Sequence, residues 1–197
     1  FSFIFYGFAV LFLILYFIAE RSTTLHFTEF GRLFLLCGSC IFLYVGGYLL
    51  ADILNDNKPM KINLWIFFAL YLLLLITLTF FDPMWGRVTI GNWQIDGLKK
   101  HLESGVNLIP FATIYEYLNA LFSSRMQTSI IFLNLIGNFV CLMPFAVFIP
   151  LLFDKTKNFK KFLITTFSIT LGIEILQLLT LSGRFDIDDI ILNFCGA

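Results

Sequence analysis

Apolar residues form long runs along the chain, and short polar segments separate them. Leu, Ile and Phe dominate each run, without the repeating polar positions of a soluble core. The runs approach the length of about 20 residues with which a helix crosses a hydrocarbon core. The pattern predicts an all-α fold: a polytopic transmembrane helix bundle with about five spans and the start of a sixth. The predicted spans are residues 1–19, 33–53, 64–81, 128–153 and a fifth run that follows Lys161 and ends near Leu181.

The long third loop, residues 82–127, contains a predicted helix over residues 112–122. Pro110 suits the first turn of this helix, where its missing N–H is not needed. The side chains that recur at helical spacing on one side are Ile114, Tyr117, Leu118, Leu121 and Phe122. We predict an interfacial amphipathic helix, which can also rest on the membrane without any part in chemistry. The expected interfacial aromatics are Tyr115, Tyr117, Trp85 and Trp93.

Composition places the chain among integral membrane proteins. Hydrophobic residues make up 59% of it, charged residues 13%, and the mean hydropathy is +0.88, whereas soluble domains contain about 25% charged residues. The formal net charge of +0 and the lack of a basic stripe argue against a nucleic-acid partner. We treat residues 1–197 as a single transmembrane domain. Because the chain begins without Met and stops as an apolar segment begins, we expect trimmed ends and a missing last helix.

The charges of the short loops predict an orientation. Lysines are concentrated in two short loops, residues 55–61 and 154–161, whereas the basic residues of the long loop are diluted among many others. Short loops rich in Lys and Arg usually stay in the cytoplasm. We therefore expect the N-terminus and the lysine loops in the cytoplasm. The long loop and the polar cluster described next would then face outside.

Polar side chains gather at one end of the last predicted helices. An ionisable group at the centre of an apolar helix costs about 2.5–3.5 kcal/mol on insertion scales, so such groups usually face a partner or a wet cavity. At a rise of about 1.5 Å per residue, the polar groups of three helices reach the same leaflet. The groups are Asn134 with Asn138, Glu174 with Gln177, and Asp186 with Asp189 and Asn193. We interpret this convergence as a polar pocket or a cleft within the membrane.

Each element of the cluster also has a purely structural explanation. The asparagines of the fourth span and the glutamine of the fifth can form interhelical hydrogen bonds, worth about 0.6 kcal/mol each. Asp186 or Asp188 can cap the helix that follows. Arg184 can form a structural salt bridge with Glu174. The two prolines of the fourth span are expected to kink it.

The carboxylates and Arg184 determine which chemistry the cluster can support. Carboxylate oxygens can hold a divalent cation, and a guanidinium can bind a phosphate or carboxylate bidentately. The candidate catalytic residues are Glu174, Arg184, Asp186 and Asp189. The candidate metal ligands are Asp186, Asp189 and Glu174, with a divalent cation as the candidate cofactor. The candidate substrate-binding residues are Asn107, Asn134, Asn138, Gln177 and Asn193.

Short motifs in residues 107–196 resemble those of the VanZ-like family of bacterial membrane proteins. The motifs are Asn107-Leu-Ile-Pro-Phe111, Asn134-x-x-Gly137-Asn138 followed by Pro144, Glu174-x-x-Gln177 with Gly183-Arg184, and Asp188-Asp189-Ile-Ile-Leu-Asn193-x-x-Gly196. Each motif alone is weak, but their order along the chain is fairly specific. By position, the resemblance marks Asn107, Asn138, Glu174, Gln177, Arg184, Asp189 and Asn193 as the characteristic polar residues.

The resemblance implies a role in the bacterial cell envelope, in the cytoplasmic membrane, that contributes to resistance against the glycopeptide teicoplanin. Two hypotheses follow for the mechanism. The protein either binds an envelope lipid or the lipidated antibiotic through its polar cleft, or is an intramembrane enzyme acting on a phospholipid or polyprenyl-phosphate intermediate. The expected partner is accordingly a membrane lipid, a lipid-linked envelope precursor or a lipoglycopeptide. Enzymatic activity and oligomeric state are left open.

Overall fold

The computed structural model describes residues 2–21, 29–81 and 105–197. Within these residues the chain is almost entirely helical, as predicted. The α-helices are α1 (Ser2–Arg21), α2 (Glu29–Leu54), α3 (Lys58–Ile76), α4 (Ala112–Ser123), α5 (Thr128–Cys141), α6 (Phe145–Leu152), α7 (Phe159–Leu179) and α8 (Ile187–Gly196). A π-helical turn (Thr77–Phe81) continues α3, and a 3₁₀ turn (Asp154–Lys157) precedes α7. Trp85 and Trp93, the predicted interfacial tryptophans, lie outside the described residues.

Five apolar segments of the described residues are long enough to cross a membrane. They are Ser2–Ala19, Phe34–Leu54, Lys58–Phe80, Thr128–Leu152 and Phe159–Leu179. These segments overlap each of the predicted spans. Their length and composition are those of a membrane helix bundle.

The chain divides into two compact units, Phe1–Leu70 and Tyr71–Ala197. In the first unit, α1 and α2 pack along each other, and isolated polar contacts reinforce the packing. Ser39 Oγ donates to the carbonyl of Ala9 at 2.8 Å, and Asn63 Nδ2 donates to the carbonyl of Leu43 at 2.7 Å. Gly47 lies against the Asn63 amide, where a Cβ atom would meet Nδ2 at 1.9 Å. Small residues and single hydrogen bonds of this kind are the usual means of helix association in membranes.

The second unit contains a broken span. The segment Thr128–Leu152 is divided into α5 and α6, and Pro144 stands immediately before α6. Phe145 N–H bonds to the carbonyl of Leu142 instead of the Cys141 carbonyl that a continuous α-helix would provide. The Tyr71 hydroxyl donates to that Cys141 carbonyl at 2.8 Å. The prediction that proline kinks this span is confirmed for Pro144, whereas Pro150 lies inside α6 without ending it, and Tyr71 satisfies a carbonyl at the break.

The turn after α7 brings the chain back toward the polar cluster. Leu181 adopts a left-handed conformation with φ 58°. Ser182 N–H then donates to the carbonyl of Gln177 at 3.0 Å, and Leu181 N–H donates to the carbonyl of Leu178 at 3.3 Å. These two bonds form a Schellman motif, which usually has glycine at the left-handed position.

A pair of short parallel strands joins the start of the motif region to this turn. Strand β1 (Val106–Asn107) pairs with β2 (Phe185–Asp186), so that Asn107 stands opposite Asp186. The Phe185 N–H donates to the carbonyl of Gly105 at 2.8 Å. Each strand has only two residues, but the pair places the loop before α4 directly beside the start of α8.

Candidate functional site

Asp188 caps the first turn of α4 from a distant part of the chain. Phe111 occupies the N-cap position of α4 with φ 65°, and it has no side chain that can accept a hydrogen bond. The N–H groups of Phe111, Thr113 and Ile114 all donate to the Asp188 carboxylate, the last two at 2.8 and 3.1 Å. Asp188 is 0% exposed. The burial of this carboxylate is compensated by three donors and by the positive end of the α4 dipole.

Asp186 holds the same region together from the opposite side. Its carboxylate caps α8 by accepting the Asp188 N–H at 2.9 Å, as predicted for one of the two aspartates. It also accepts from Asn107 Nδ2 at 3.2 Å and from the Thr113 hydroxyl at 2.5 Å. We call Asn107, Thr113, Asp186 and Asp188 the scaffold, because their hydrogen bonds tie β1, α4 and α8 to one another.

A cavity of about 460 Å³, here called the large cavity, opens beside the scaffold. Its lining brings together residues from α4, α5, the turn after α7 and α8. The polar residues of the lining are Thr113, Glu116, Tyr117, Asn134, Ser182, Arg184, Asp186 and Asp189. A side cavity of about 270 Å³ shares Thr113, Glu116, Arg184 and Asp186 with it. Among the described residues, the lining of the large cavity therefore contributes one guanidinium and three carboxylates.

Tyr117 reports the electrostatic environment of the large cavity. Burial raises the pKa of its hydroxyl, and the charges of Asp189, Asp186 and Glu116 raise this pKa further, whereas Arg184 lowers it. The hydroxyl consequently remains a neutral donor at physiological pH. Tyr117 was predicted as an interfacial aromatic, but the structure places it half-buried in the cavity wall.

A second, small cavity of about 20 Å³ lies among the polar groups of the membrane helices. Its polar lining consists of Thr79, Asn138, Glu174, Gln177 and Asn193. This volume matches one water molecule, which needs about 10–15 Å³ and several polar partners. Asn138 Nδ2 donates to Asp189 Oδ1, so a hydrogen bond joins the linings of the small and large cavities.

Glu174 and Gln177 fasten the end of α7 to its neighbours. Glu174 is 1% exposed, and its Oε2 accepts the Asp186 N–H at 3.4 Å. Gln177 Nε2 donates to the carbonyl of Thr79 at 3.3 Å. No ion pair joins Glu174 to Arg184, although the structure describes both residues, so the alternative of a structural salt bridge between them is wrong. Arg184 instead lies exposed at the rim of the large cavity.

The family model for VanZ/LLP1 matches residues 68–197, which include every residue of both cavities. The chain belongs to the VanZ/LLP1 family. The match begins within α3, well before the motifs that start at Asn107. No curated protein and no solved structure is significantly similar to the chain. Together with its apolar helices, the family assignment identifies a multi-pass membrane protein of VanZ-like type.

The structure of this VanZ/LLP1 protein divides the predicted site residues among three places. Asn134, Arg184, Asp186 and Asp189 line the large cavity. Asn138, Glu174, Gln177 and Asn193 line the small cavity. Asn107 belongs to the scaffold and lines the side cavity, and its Oδ1 accepts the Ile109 N–H at 3.1 Å. Among the described residues, no group of three His, Cys, Asp or Glu side chains is arranged to hold a metal ion.

Sequence reasoning missed Thr113, Glu116, Tyr117 and Asp188 as members of the candidate site. One signal for Asp188 was present in the sequence. A helix that begins after Phe111 has no capping side chain of its own, and its first N–H groups need an acceptor from elsewhere. Thr113 and Glu116 are three residues apart and share the polar side of α4, opposite the side that the periodicity analysis emphasised.

Proposed function

We propose that this VanZ/LLP1 protein binds the headgroup of an envelope lipid in the large cavity, and thereby contributes to glycopeptide resistance at the bacterial cytoplasmic membrane. The observation that carries the proposal is Arg184 at the rim of a 460 Å³ cavity. Ligand pockets usually have volumes of about 300–1,000 Å³. A lipid headgroup fits this range, and its phosphate is a group that a guanidinium fork can bind bidentately.

The position of Arg184 favours a ligand over a structural role. Among the described residues, no carboxylate forms an ion pair with it. The guanidinium therefore keeps its donors for water or for a ligand. The Tyr117 hydroxyl adds a neutral donor to the same cavity, and Asn134 adds amide groups.

Access from the membrane is supported by the surroundings of α4. No residue of α4 is buried, and the loop that leads into it exposes large apolar side chains. The most exposed are Leu108, Ile109, Phe111, Tyr115 and Phe122. An amphipathic helix with such a face lies in the membrane interface. The lysine-rich loop 154–161 lies at the end of α7 opposite to the turn that carries Arg184, which favours a cavity that faces outside.

The alternative function is an intramembrane enzyme that acts on a phospholipid or polyprenyl phosphate. It is favoured by Asp189, which lines the same cavity as Arg184 and is held in place by Asn138. In an enzyme, this carboxylate would serve as the acid/base group or as a metal ligand. In a binding protein, it would only contact the ligand.

Teicoplanin susceptibility of cells that express Arg184→Gln tests the proposal. A hydrogen bond to a charged group contributes about 1.5–3 kcal/mol, or roughly tenfold or more in affinity, so most protection should be lost. Arg125→Gln is the matched control, since Arg125 is exposed and does not line the large cavity. Both variants are compared at equal membrane levels. Full protection by Arg184→Gln would contradict a function of the large cavity in resistance.

Asp189→Asn separates binding from catalysis. The substitution preserves shape and removes the ionisable group, so an enzyme should lose lipid turnover almost completely. A binding protein shows no turnover in either form. Mass spectrometry of labelled phospholipid and polyprenyl phosphate after incubation with the wild type and the variant distinguishes the two functions.

A further inference from the structure

Arg184 lies where the large cavity and the side cavity meet. Both cavities are lined by Arg184, Thr113, Glu116 and Asp186. A ligand that is bound to the Arg184 guanidinium can therefore extend one part into each cavity. The remaining residues of the two linings differ in character, and this difference determines which part of a lipid each cavity suits.

The side cavity suits the apolar part of a lipid. Beyond the shared residues, it continues along Val106, Ile109 and Ala112. Val106 and Ile109 are exposed, as are the other large apolar side chains that lead into α4. In the proposed function these side chains lie in the membrane interface, so a lipid tail that leaves through the side cavity enters the bilayer.

The large cavity suits a polar headgroup. Apart from Met126 and Gly183, every residue of its described lining is polar. With the tail in the side cavity and the phosphate at Arg184, the large cavity receives whatever is attached to the other side of the phosphate. A phosphate monoester carries nothing there, whereas a phosphodiester carries a headgroup. The cavity of about 460 Å³ therefore favours a phosphodiester.

The hydrogen-bonding groups of the large cavity favour hydroxyl groups on that headgroup. Asn134 Nδ2 donates to the carbonyl of Ile130 in its own helix at 2.8 Å, and no described group donates to Asn134 Oδ1. Within the described part of the chain, the Tyr117 hydroxyl and the exposed Glu116 carboxylate also have no hydrogen-bond partner. A hydroxyl group can pair with all three because it both donates and accepts, whereas an ammonium group only donates and a second phosphate only accepts.

We infer that the ligand is a lipid phosphodiester whose headgroup carries several hydroxyl groups, as a sugar or another polyol does. This inference rests on the proposed function and specifies its ligand. Arg184 binds the phosphate through its fork of donors, and the side cavity receives the start of the tail. In the large cavity, hydroxyl groups of the polyol donate to Glu116 and to Asn134 Oδ1, and another pairs with the Tyr117 hydroxyl.

Lipid competition monitored by native mass spectrometry tests the inference. The full chain is stripped of lipid and mixed with equal amounts of phosphatidylinositol, phosphatidylglycerol and phosphatidic acid that have identical acyl chains. These lipids carry many, few and no headgroup hydroxyl groups beyond the phosphate. We expect phosphatidylinositol to be retained about tenfold over phosphatidic acid, the effect of about two neutral hydrogen bonds, with phosphatidylglycerol between them. Equal retention, or a preference for phosphatidic acid, would overturn the inference.

A soluble competitor distinguishes a lipid from a free phosphorylated polyol. Glycerophosphoinositol has the same headgroup as phosphatidylinositol but no acyl chain. At the same concentration it should displace little of the bound lipid, because it leaves the apolar part of the side cavity without a contact. Displacement as strong as that by phosphatidylinositol would overturn the assignment of a lipid tail to the side cavity.

The double variant Tyr117→Phe with Asn134→Leu gives the sharpest result. It removes two hydrogen-bonding groups of the large cavity and nearly keeps their shape. Most of the preference for phosphatidylinositol should be lost while phosphatidic acid is retained as before, a split that a merely structural role would not produce. An unchanged preference would overturn the inference.

The matched control is Tyr44→Phe with Asn119→Leu. It makes the same replacements at exposed positions outside both cavities. The control should keep the wild-type preference, and an equal loss there would contradict recognition by the large cavity. Tyr117→Phe alone removes a single oxygen and takes the place of the double variant if that variant does not fold. We expect it to lower the preference about threefold.

Arg184→Gln separates the failure of this inference from the failure of the proposed function. It should lower the retention of all three lipids, because each of them contains a phosphate. Such a loss, combined with equal retention of the three lipids by the wild type, would overturn the polyol headgroup and leave phosphate binding intact. Retention that is unaffected by Arg184→Gln would overturn the proposed function itself. Size-exclusion profiles establish that each variant is folded.

Discussion

Asp188 and Asp189 are neighbours in sequence, but they belong to different sides of α8. Asp188 is 0% exposed and accepts three backbone N–H groups at the start of α4. Asp189 is half-buried, accepts from Asn138 and lines the large cavity. The Asp188 carboxylate has a structural role, because it caps α4. The Asp189 carboxylate lines the large cavity.

The difference arises from helix geometry. Successive residues of an α-helix point about 100° apart, so two adjacent aspartates cannot face the same surroundings. The scaffold side of α8 is fixed by capping and close packing. The cavity side is lined by groups that can still accept a ligand. Identical side chains thus have different roles, and substitutions on the two sides should have different consequences.

Asp188→Ala should have the largest effect on stability. It removes the acceptor of three N–H groups at the start of α4, each of which costs about 1 kcal/mol or more when unsatisfied, so we expect a loss of about 3 kcal/mol. Thermal or denaturant unfolding in detergent micelles measures the change. Asp188→Asn keeps one acceptor oxygen and should lose less.

Asp189→Asn provides the contrast to this prediction. Because asparagine has the same shape and keeps an oxygen that can accept from Asn138, the replacement should change the free energy of unfolding by about 1 kcal/mol or less. A loss as large as that of Asp188→Ala would show that the cavity side is as structural as the scaffold side.

Gly196→Ala should disturb the packing of α8 on α5. A Cβ atom at Gly196 would lie 1.6 Å from the Phe139 carbonyl oxygen, and this backbone atom cannot give way cheaply. Overpacking of this kind typically costs about 1–3 kcal/mol. Gly172→Ala is the control, because a Cβ there meets no atom within 4 Å. The control should be neutral or stabilising by up to about 1 kcal/mol, since alanine favours a helix interior.

Leu181→Gly should stabilise the protein slightly. Leu181 has φ 58° in the turn that leads to Arg184, and a left-handed residue other than glycine costs about 1 kcal/mol. Glycine removes this cost in the folded protein. It also increases the conformational entropy of the unfolded chain, which offsets part of the gain in stability. We expect a net increase of a few tenths of a kcal/mol up to about 1 kcal/mol, measured in the same unfolding experiment. A decrease would mean that the Leu181 side chain contributes more packing than the turn costs.

Much of the fold is predictable because a membrane span needs only length and hydropathy. The break in the fourth span is partly predictable, since Pro144 cannot donate a hydrogen bond. The contribution of Tyr71 is not, because its hydroxyl reaches Cys141 through tertiary packing. The short pairing of β1 with β2 was also missed, as two residues carry no periodicity.

The convergence of the polar residues is predictable for a similar reason. Depth in the membrane follows from residue counting, and it correctly grouped Asn138 with Glu174 and Gln177. The division between scaffold and cavity could not be predicted in the same way. Asp188 accepts the first N–H groups of α4 because Phe111 has no side chain that can cap that helix. The pairing of β1 with β2 is what brings Asp188 close to the start of α4.

The titration of Tyr117 should give the smallest effect, and it reports on Asp189, the aspartate on the cavity side of α8. Burial raises its pKa above the ordinary value of 10.0, and Asp189 is the largest of the charges that raise it further. The folded protein thus holds this proton more tightly than the unfolded chain. The contribution of Tyr117 to the free energy of unfolding does not depend on pH below about 10. It is lost as the pH rises from there through the pKa of Tyr117 in the folded protein.

Asp189→Asn should therefore lower the pKa of Tyr117, whereas Asp154→Asn, outside the cavity, should leave it unchanged. Ultraviolet titration of tyrosinate absorbance, taken as the difference between each protein and its Tyr117→Phe counterpart, isolates this hydroxyl. An unchanged pKa in Asp189→Asn would place that carboxylate too far from Tyr117 to share a ligand with it. A lowered pKa would show that both groups act on the same part of the cavity, so that one ligand can contact both of them.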